Sequence, residues 1–218
     1  MPLLFIFCYL KGGEVCSSQT MTPTHQSEAP PFTSVSDSSI SETRDNVELH
    51  VDEDMWLITS GGVQLNLNSE DFNRLDGTYD NGWLNDKIID AAHALLRQEF
   101  PSAGGLQSCI LACGPTFRSE VKPFVQIVNT CPNGPGDHWI LLSTINCPPF
   151  TIDVYDSTNS NWLSIDTERS IAKLMRIPLK KRFITVRFPK SPNQRNANDC
   201  GVYAIANMVY ILNGTNPT

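Results

Sequence analysis

The stretch Gln194-Arg195-Asn196-Ala197-Asn198-Asp199-Cys200-Gly201-Val202-Tyr203-Ala204-Ile205-Ala206-Asn207-Met208-Val209-Tyr210-Ile211-Leu212 decides how this chain is read. From Cys200 to Leu212 almost every side chain is apolar, the composition of a helix inside a core rather than on a surface. Asn198 and Asp199 stand just before it, where helix-capping residues belong. Cys200 therefore falls in the first turn of a buried helix. A thiol is a useful nucleophile only as thiolate, and the partial positive charge of a helix N-terminus favours that form. The competing reading is an inert core thiol, which suits a lone cysteine on an apolar helix better. Gly201 reads as room for a substrate backbone.

A nucleophilic thiol needs a base, and the chain has four histidines. His25 and His50 lie in or beside a polar N-terminal stretch. His93 falls inside a predicted helix and is expected to be partly exposed. His138 stands at the mouth of a predicted strand, where a side chain is held rigidly yet stays open to substrate; a neutral imidazole there can take the thiol proton. By pattern alone a structural histidine fits equally well. Asp156 ends the next predicted strand and suits the carboxylate that orients the imidazole. Asp153 is its rival, but the two are an odd number of residues apart and point to opposite faces of one strand. Whether Asp156 meets His138 depends on strand register. Gln194, on a polar loop before Cys200, can donate its amide to a developing oxyanion, a contribution worth about 3–4 kcal/mol in comparable sites.

Outward from this set, Asn85 is placed to cap a helix running to about Phe100, with Ile88, Ile89, Ala92, Leu95, Leu96 and Phe100 at helical spacing and Pro101 closing it. Strands are expected over 124–128, 139–145, 151–155 and 183–188, and a further helix over 165–175 with acidic residues in its first turn. The order is that of an α+β domain. Residues 1–50 are rich in Ser, Thr, Pro and acidic residues beyond a short apolar start, too poor in apolar side chains to offset ordering entropy, and read as a disordered tail. The apolar run at 1–10 is too short to span a bilayer; it resembles a signal-peptide core, but no basic residue precedes it and no clear cleavage site follows promptly, so secretion stands as the lesser alternative.

A net charge of −7 argues against a nucleic-acid binder, and the basic cluster Lys180, Lys181 and Arg182 reads as a solvated strand end. Apolar residues make up 40% of the 218, enough for a core. Seven cysteines at irregular spacing do not form a disulfide framework, and Cys109, Cys113, Cys131 and Cys147 lack the paired spacing of structural zinc sites. Reduced thiols in the cytoplasm or nucleus are expected.

Together these residues resemble the ubiquitin-like-protein-specific (SUMO/sentrin-type) cysteine protease family of the adenovirus-protease-like clan. His138-Trp139, Val154-Tyr155-Asp156-Ser157 and Gln194-x-Asn196-x-x-Asp199-Cys200-Gly201 are similar to its His-Trp, Tyr-Asp-Ser and Gln-x-Asn-x-x-Asp-Cys-Gly blocks, in the family's order. Trp83-Leu84-Asn85-Asp86-Lys87-Ile88-Ile89 resembles the element that opens the domain. The resemblance covers about 65–212.

It implies a papain-like, adenovirus-protease-like α+β fold, with a central mixed sheet and the nucleophile at the N-terminus of a buried helix. The implied catalytic domain spans 55–218. The implied activity is a cysteine peptidase that cleaves after the terminal Gly-Gly of a ubiquitin-like modifier (SUMO, NEDD8 or ubiquitin). Cys200, His138, Asp156 and Gln194 are its implied catalytic residues, and Trp83 and Trp139 line a slot that only a glycine tail enters. No cofactor is implied, and the partners are the modifier and its conjugates, met by a monomer without membrane or nucleic acid. The chain departs from the family in stopping soon after Leu212, as in truncated, transposon-associated members, and in a short interval from Asp156 to Cys200. The short C-terminus argues for a weakly catalytic binder of the modifier as one alternative and the intact four-residue set argues against it; an acyltransferase of the same fold is another.

Overall fold

The computed structural model describes residues 55–56, 59–60, 63–75, 82–113, 117–130, 138–175 and 183–217. The expected tail at 1–50 and the basic cluster at 180–182 lie outside the described residues. Two short antiparallel pairs come first: β1 (Met55–Trp56) with β4 (Leu67–Asn68), and β2 (Thr59–Ser60) with β3 (Val63–Gln64). Helix α1 (Ser69–Leu75) follows, then α2 (Asp86–Glu99).

Helix α2 begins where the sequence places it. Asn85 keeps an extended backbone and its Oδ1 accepts from the amide of Ile88 at 3.0 Å, satisfying one of the donors a helix start leaves open. Its Nδ2 donates to Asp71 Oδ1 at 2.5 Å, which ties α2 to α1 through a buried carboxylate. At the far end the amide of Phe100 still reaches Leu96, and Pro101 follows.

The centre is a five-stranded mixed sheet in the order β5 (Gly104–Gly105), β6 (Phe124–Asn129), β7 (Trp139–Ser143), β8 (Thr151–Tyr155), β9 (Thr185–Arg187). The β6–β7 and β7–β8 pairs are antiparallel, and both edge pairs are parallel. Alternation sorts the strand residues between two cores. Val125, Ile127, Trp139, Leu141 and Tyr155 pack with Leu84, Ile89, Leu96, Ile205 and Met208, on the face that carries α2 and α4 (Cys200–Leu212). Phe124, Val128, Ile140, Leu142, Ile152 and Val154 pack with Ile171 and Leu174 of α3 (Ile165–Leu174) on the other. Covered on both faces, β6 to β8 are buried almost throughout, and their near-continuous apolar runs follow from that.

Three expectations are corrected. The last strand shortens to Thr185–Arg187, and Phe183 is exposed. Helix α4 buries one face only, with Cys200, Ala204, Ile205, Met208 and Ile211 inside and Tyr210 outside. His93 is fully buried on α2: Nε2 accepts from the amide of Ile127, and burial drives its pKa down to about 4 despite the nearby Asp90 carboxylate. A neutral imidazole used as a backbone acceptor for β6 replaces the expected surface histidine. Among the described residues no helix is long and apolar enough to cross a membrane.

Candidate active site

Three element ends meet on one side of the sheet. Cys200 opens α4 and is 2% exposed; His138 immediately precedes β7; Asp156 immediately follows β8. The register settles what the sequence leaves open. Leu141 lies opposite Tyr155, so one further antiparallel step sets Asp156 across from Ile140, two residues from His138. Such diagonal neighbours are within reach of long side chains. His138 Nε2 and Asp156 Oδ1 are 2.7 Å apart. Asp153, on the opposite strand face, forms a two-pronged pair with Arg187 on β9 (2.6 and 2.8 Å) and takes no part.

Asp156 is held from its own loop. The amide of Thr158 donates to Oδ1 at 2.8 Å, and the Thr158 hydroxyl donates to both carboxylate oxygens (2.8 and 2.9 Å). Burial opposes the charged carboxylate, yet the His138 and Thr158 hydrogen bonds outweigh it and hold its pKa below the ordinary range. Around His138, burial opposes the imidazolium. Its interactions with the Asp156 carboxylate and with Cys200 prevail and raise its pKa to about 9. With Nε2 engaged by Asp156, Nδ1 is the nitrogen left for the thiol.

The loop before Cys200 is organised by Asn196. Its Oδ1 accepts from the amides of Asn198 and Asp199 (3.0 Å each), and its Nδ2 donates to Asp199 Oδ2 at 2.8 Å. Asp199 occupies the cap position of α4, but its side chain caps nothing. Asp199 thus leaves the first-turn amides of α4 without its side-chain cap. Gln194 is half-buried: its amide nitrogen donates to the Asn196 carbonyl at 2.8 Å, and its amide oxygen accepts from the Ser157 hydroxyl at 2.5 Å.

Both tryptophans are tied to the segments around the nucleophile, Trp83 directly and Trp139 through Leu84. The half-buried Trp83 donates from Nε1 to Asn198 Oδ1 at 2.6 Å. Trp139 is 9% exposed and donates from Nε1 to the Leu84 carbonyl at 2.8 Å. Leu84 in turn lies over Gly201, where an added Cβ would stand 3.0 Å from its Cβ and 3.2 Å from its Cγ. Gly201 therefore admits Leu84, a correction to its reading as space for substrate.

Sequence reasoning missed Thr158, Ser157 as a partner of Gln194, and Asn198 as a partner of Trp83. A signal existed for the first: Asp-x-Thr before Asn159 is turn chemistry, in which Asp side chains bond amides two residues on.

Comparison with known proteins follows this geometry. Residues 124–218 match the family model described as "Ulp1 protease family, C-terminal catalytic domain", a span that holds His138, Asp156, Gln194 and Cys200. No curated protein matches the chain. Among solved structures, the C-terminal Ulp1 protease domain in complex with Smt3, the yeast ortholog of SUMO, is similar over 77% of this chain and 80% of its own, with a TM-score of 0.53 at 18% identity. The SUMO protease Ulp1 with its catalytic cysteine oxidised to a sulfonic acid gives the same coverage, score and identity. A de-sumoylating protease is similar over 73% of this chain and 72% of its own, with a TM-score of 0.51 at 17% identity. At these identities the likeness establishes the fold, and that fold is the α+β architecture expected from the sequence.

Proposed function

We propose, from the premise that this chain belongs to the Ulp1 protease family of cysteine proteases, that it hydrolyses the bond after the terminal Gly-Gly of a ubiquitin-like modifier of the SUMO class. Cys200 is the nucleophile, His138 the base and later the acid, Asp156 the group that orients His138, and Gln194 an oxyanion donor. The observation that carries this reading is the 2.7 Å His138–Asp156 contact, with Cys200 close enough to act on the same imidazole. The modifier class rests on what the similar structures are said to be: SUMO proteases, one of them bound to a SUMO ortholog.

The chemistry follows from the groups in place. His138 takes the thiol proton, and the thiolate attacks the carbonyl carbon of the terminal glycine. The carbonyl electrons move onto oxygen, and the Gln194 amide with the uncapped first turn of α4 supports that charge. Collapse expels the amine, which takes its proton from His138, and a thioester to Cys200 remains. His138 then deprotonates a water that attacks the thioester, and the modifier leaves with a free carboxylate while the thiol regains its proton. Trp83, beside the nucleophile loop, suits a wall of the slot that admits glycine alone.

The test is a panel of SUMO, NEDD8 and ubiquitin carrying a C-terminal electrophile. The SUMO probe is expected to label Cys200 fastest, Cys200→Ser to abolish labelling, and His138→Ala to slow it at least about a hundredfold. Full labelling of Cys200→Ser, or binding of every probe without reaction, rejects the reading.

A further inference from the structure

Gln194 is an amide whose ends are nearly all committed. Oxygen and nitrogen are set by chemistry here: the Asn196 carbonyl can only accept, so the group 2.8 Å from it must be the amide nitrogen. The Ser157 hydroxyl, 2.5 Å from the amide oxygen, then donates. One N–H of the amide is used by Asn196, and the second meets no partner among the described residues. That second N–H is what an oxyanion can take, and two contacts fix its direction: the Asn196 carbonyl on the nitrogen and the Ser157 hydroxyl on the oxygen.

Ser157 does the holding twice. It is 2% exposed, and besides its hydroxyl its carbonyl accepts from the backbone amide of Gln194 at 2.9 Å. It is also the residue after Asp156, inside a turn closed by the Asn159 amide on the Asp156 carbonyl (2.9 Å). Asn159 sits in the left-handed region (φ 52°), which asparagine tolerates, and exchanges bonds with the backbone of Ser191. Ser191 is anchored in turn by Asn207 of α4 at 2.9 Å. One rigid turn thus carries the carboxylate that orients the base and the hydroxyl that orients the amide.

We infer that Ser157 is a positioning residue for oxyanion stabilisation, acting through Gln194 by fixing which way its amide N–H points. The inference rests on the proposed role of Gln194. Without the hydroxyl only the Asn196 bond restrains the amide; the group then samples other orientations, the second N–H spends less time on the oxyanion, and the step that develops negative charge on oxygen is slowed.

The experiment uses the full chain and a SUMO with an aminocoumarin amide on its last glycine. Gln194→Ala is expected to lower kcat about a hundredfold, as loss of one such donor does. Ser157→Ala is expected to lower kcat about tenfold with KM little changed, and Ser157→Cys, a weaker donor of similar shape, to fall between it and the wild type. On the Gln194→Ala background Ser157→Ala should cost nothing further, because the two act as a unit. Alkylation of Cys200 by iodoacetamide, a displacement with no oxyanion, should proceed at the wild-type rate in Ser157→Ala, whereas a distorted site would slow both reactions. A Ser157→Ala defect that multiplies with that of Gln194→Ala, or a Ser157→Ala enzyme with wild-type kcat, overturns the inference. If Ser157→Ala does not fold, Ser157→Cys measured alone and with Gln194→Ala decides by the same rule. An unimpaired Gln194→Ala enzyme instead rejects the role of Gln194 itself, a separate failure.

Discussion

The indole N–H of Trp83 donates to the side-chain oxygen of Asn198, 115 residues later in the chain, at 2.6 Å. The bond joins the segment that opens α2 to the loop that delivers Cys200. Leu84, the next residue, is fixed to β7 through Trp139 and to α4 through Gly201. Trp83 is thus held at the nucleophile by its neighbour's packing and by one polar contact of its own. Removing that contact in Asn198→Ala is expected to cost about 1 kcal/mol in stability, the worth of a half-buried hydrogen bond. If Trp83 forms a wall of the glycine slot, KM for a SUMO amide substrate should rise several-fold while alkylation of Cys200 is unchanged. An unaltered KM would separate Trp83 from substrate.

Gly201 gives a sharper test of packing. A methyl group there would meet Leu84 at 3.0–3.2 Å, with both residues buried. Gly201→Ala is expected to destabilise the chain by about 1–3 kcal/mol, as overpacking does, and Leu84→Ala should restore part of that loss in the double variant. Urea midpoints measure it. Simple addition of the two penalties would show that the part of Leu84 beyond Cβ is not what Gly201 admits.

Much of this was legible beforehand, and the boundary between what was and was not has a physical cause. Helix α2 is readable because apolar spacing, a capping Asn and a stopping Pro are local signals, α4 because its run is apolar almost throughout, and β6 to β8 because buried strands concentrate β-branched and aromatic residues. Strand alternation sets Asp156 and Asp153 on opposite faces, and the place of Asp156 at the strand end is what favours it. The convergence of Asp156 on His138 was not readable, since it depends on the β7–β8 register, a contact between strands. His93 misled because it falls among polar α2 positions by spacing, while β6 lies over it and takes its ring nitrogen. Gly201 misled for the same reason: what it faces, Leu84, comes from more than a hundred residues away.

At Asn85 two roles share one amide. The oxygen caps α2 through Ile88, and the nitrogen donates at 2.5 Å to the Asp71 carboxylate, which is 1% exposed. Aspartate is ordinarily as good a cap as asparagine. Here Asn85→Asp would set two carboxylates against each other in a buried place, so it is expected to destabilise more than Asn85→Ala, itself about 1 kcal/mol or more from the lost cap. Urea unfolding at neutral pH ranks the three. Asn85→Asp as stable as the wild type would remove Asp71 from the account.

The paired shifts at His138 and Asp156 fix how the site should answer to pH. The His138 pKa, raised from 6.5 to about 9, means the folded chain keeps a proton that the unfolded chain has lost across that interval. Its contribution to stability is complete below pH 6.5 and disappears as pH rises through about 9. Asp156, shifted below its ordinary 3.8, runs the other way: its contribution is present above that value and is lost as pH falls through the folded pKa. Activity that uses a thiolate–imidazolium pair should share the alkaline limit, because deprotonating the imidazolium removes the acid that the leaving amine needs; the limb belongs to the pair rather than to one group. Asp156→Asn keeps the shape but removes the negative charge and the strongest hydrogen bond that hold the imidazolium. The alkaline limb of kcat for a SUMO amide substrate is therefore expected near pH 9 in the wild type and toward 6.5 in Asp156→Asn, with the urea midpoint of the variant ceasing to fall between those values. A limb that stays in place in Asp156→Asn would mean that the carboxylate does not govern the charge on His138.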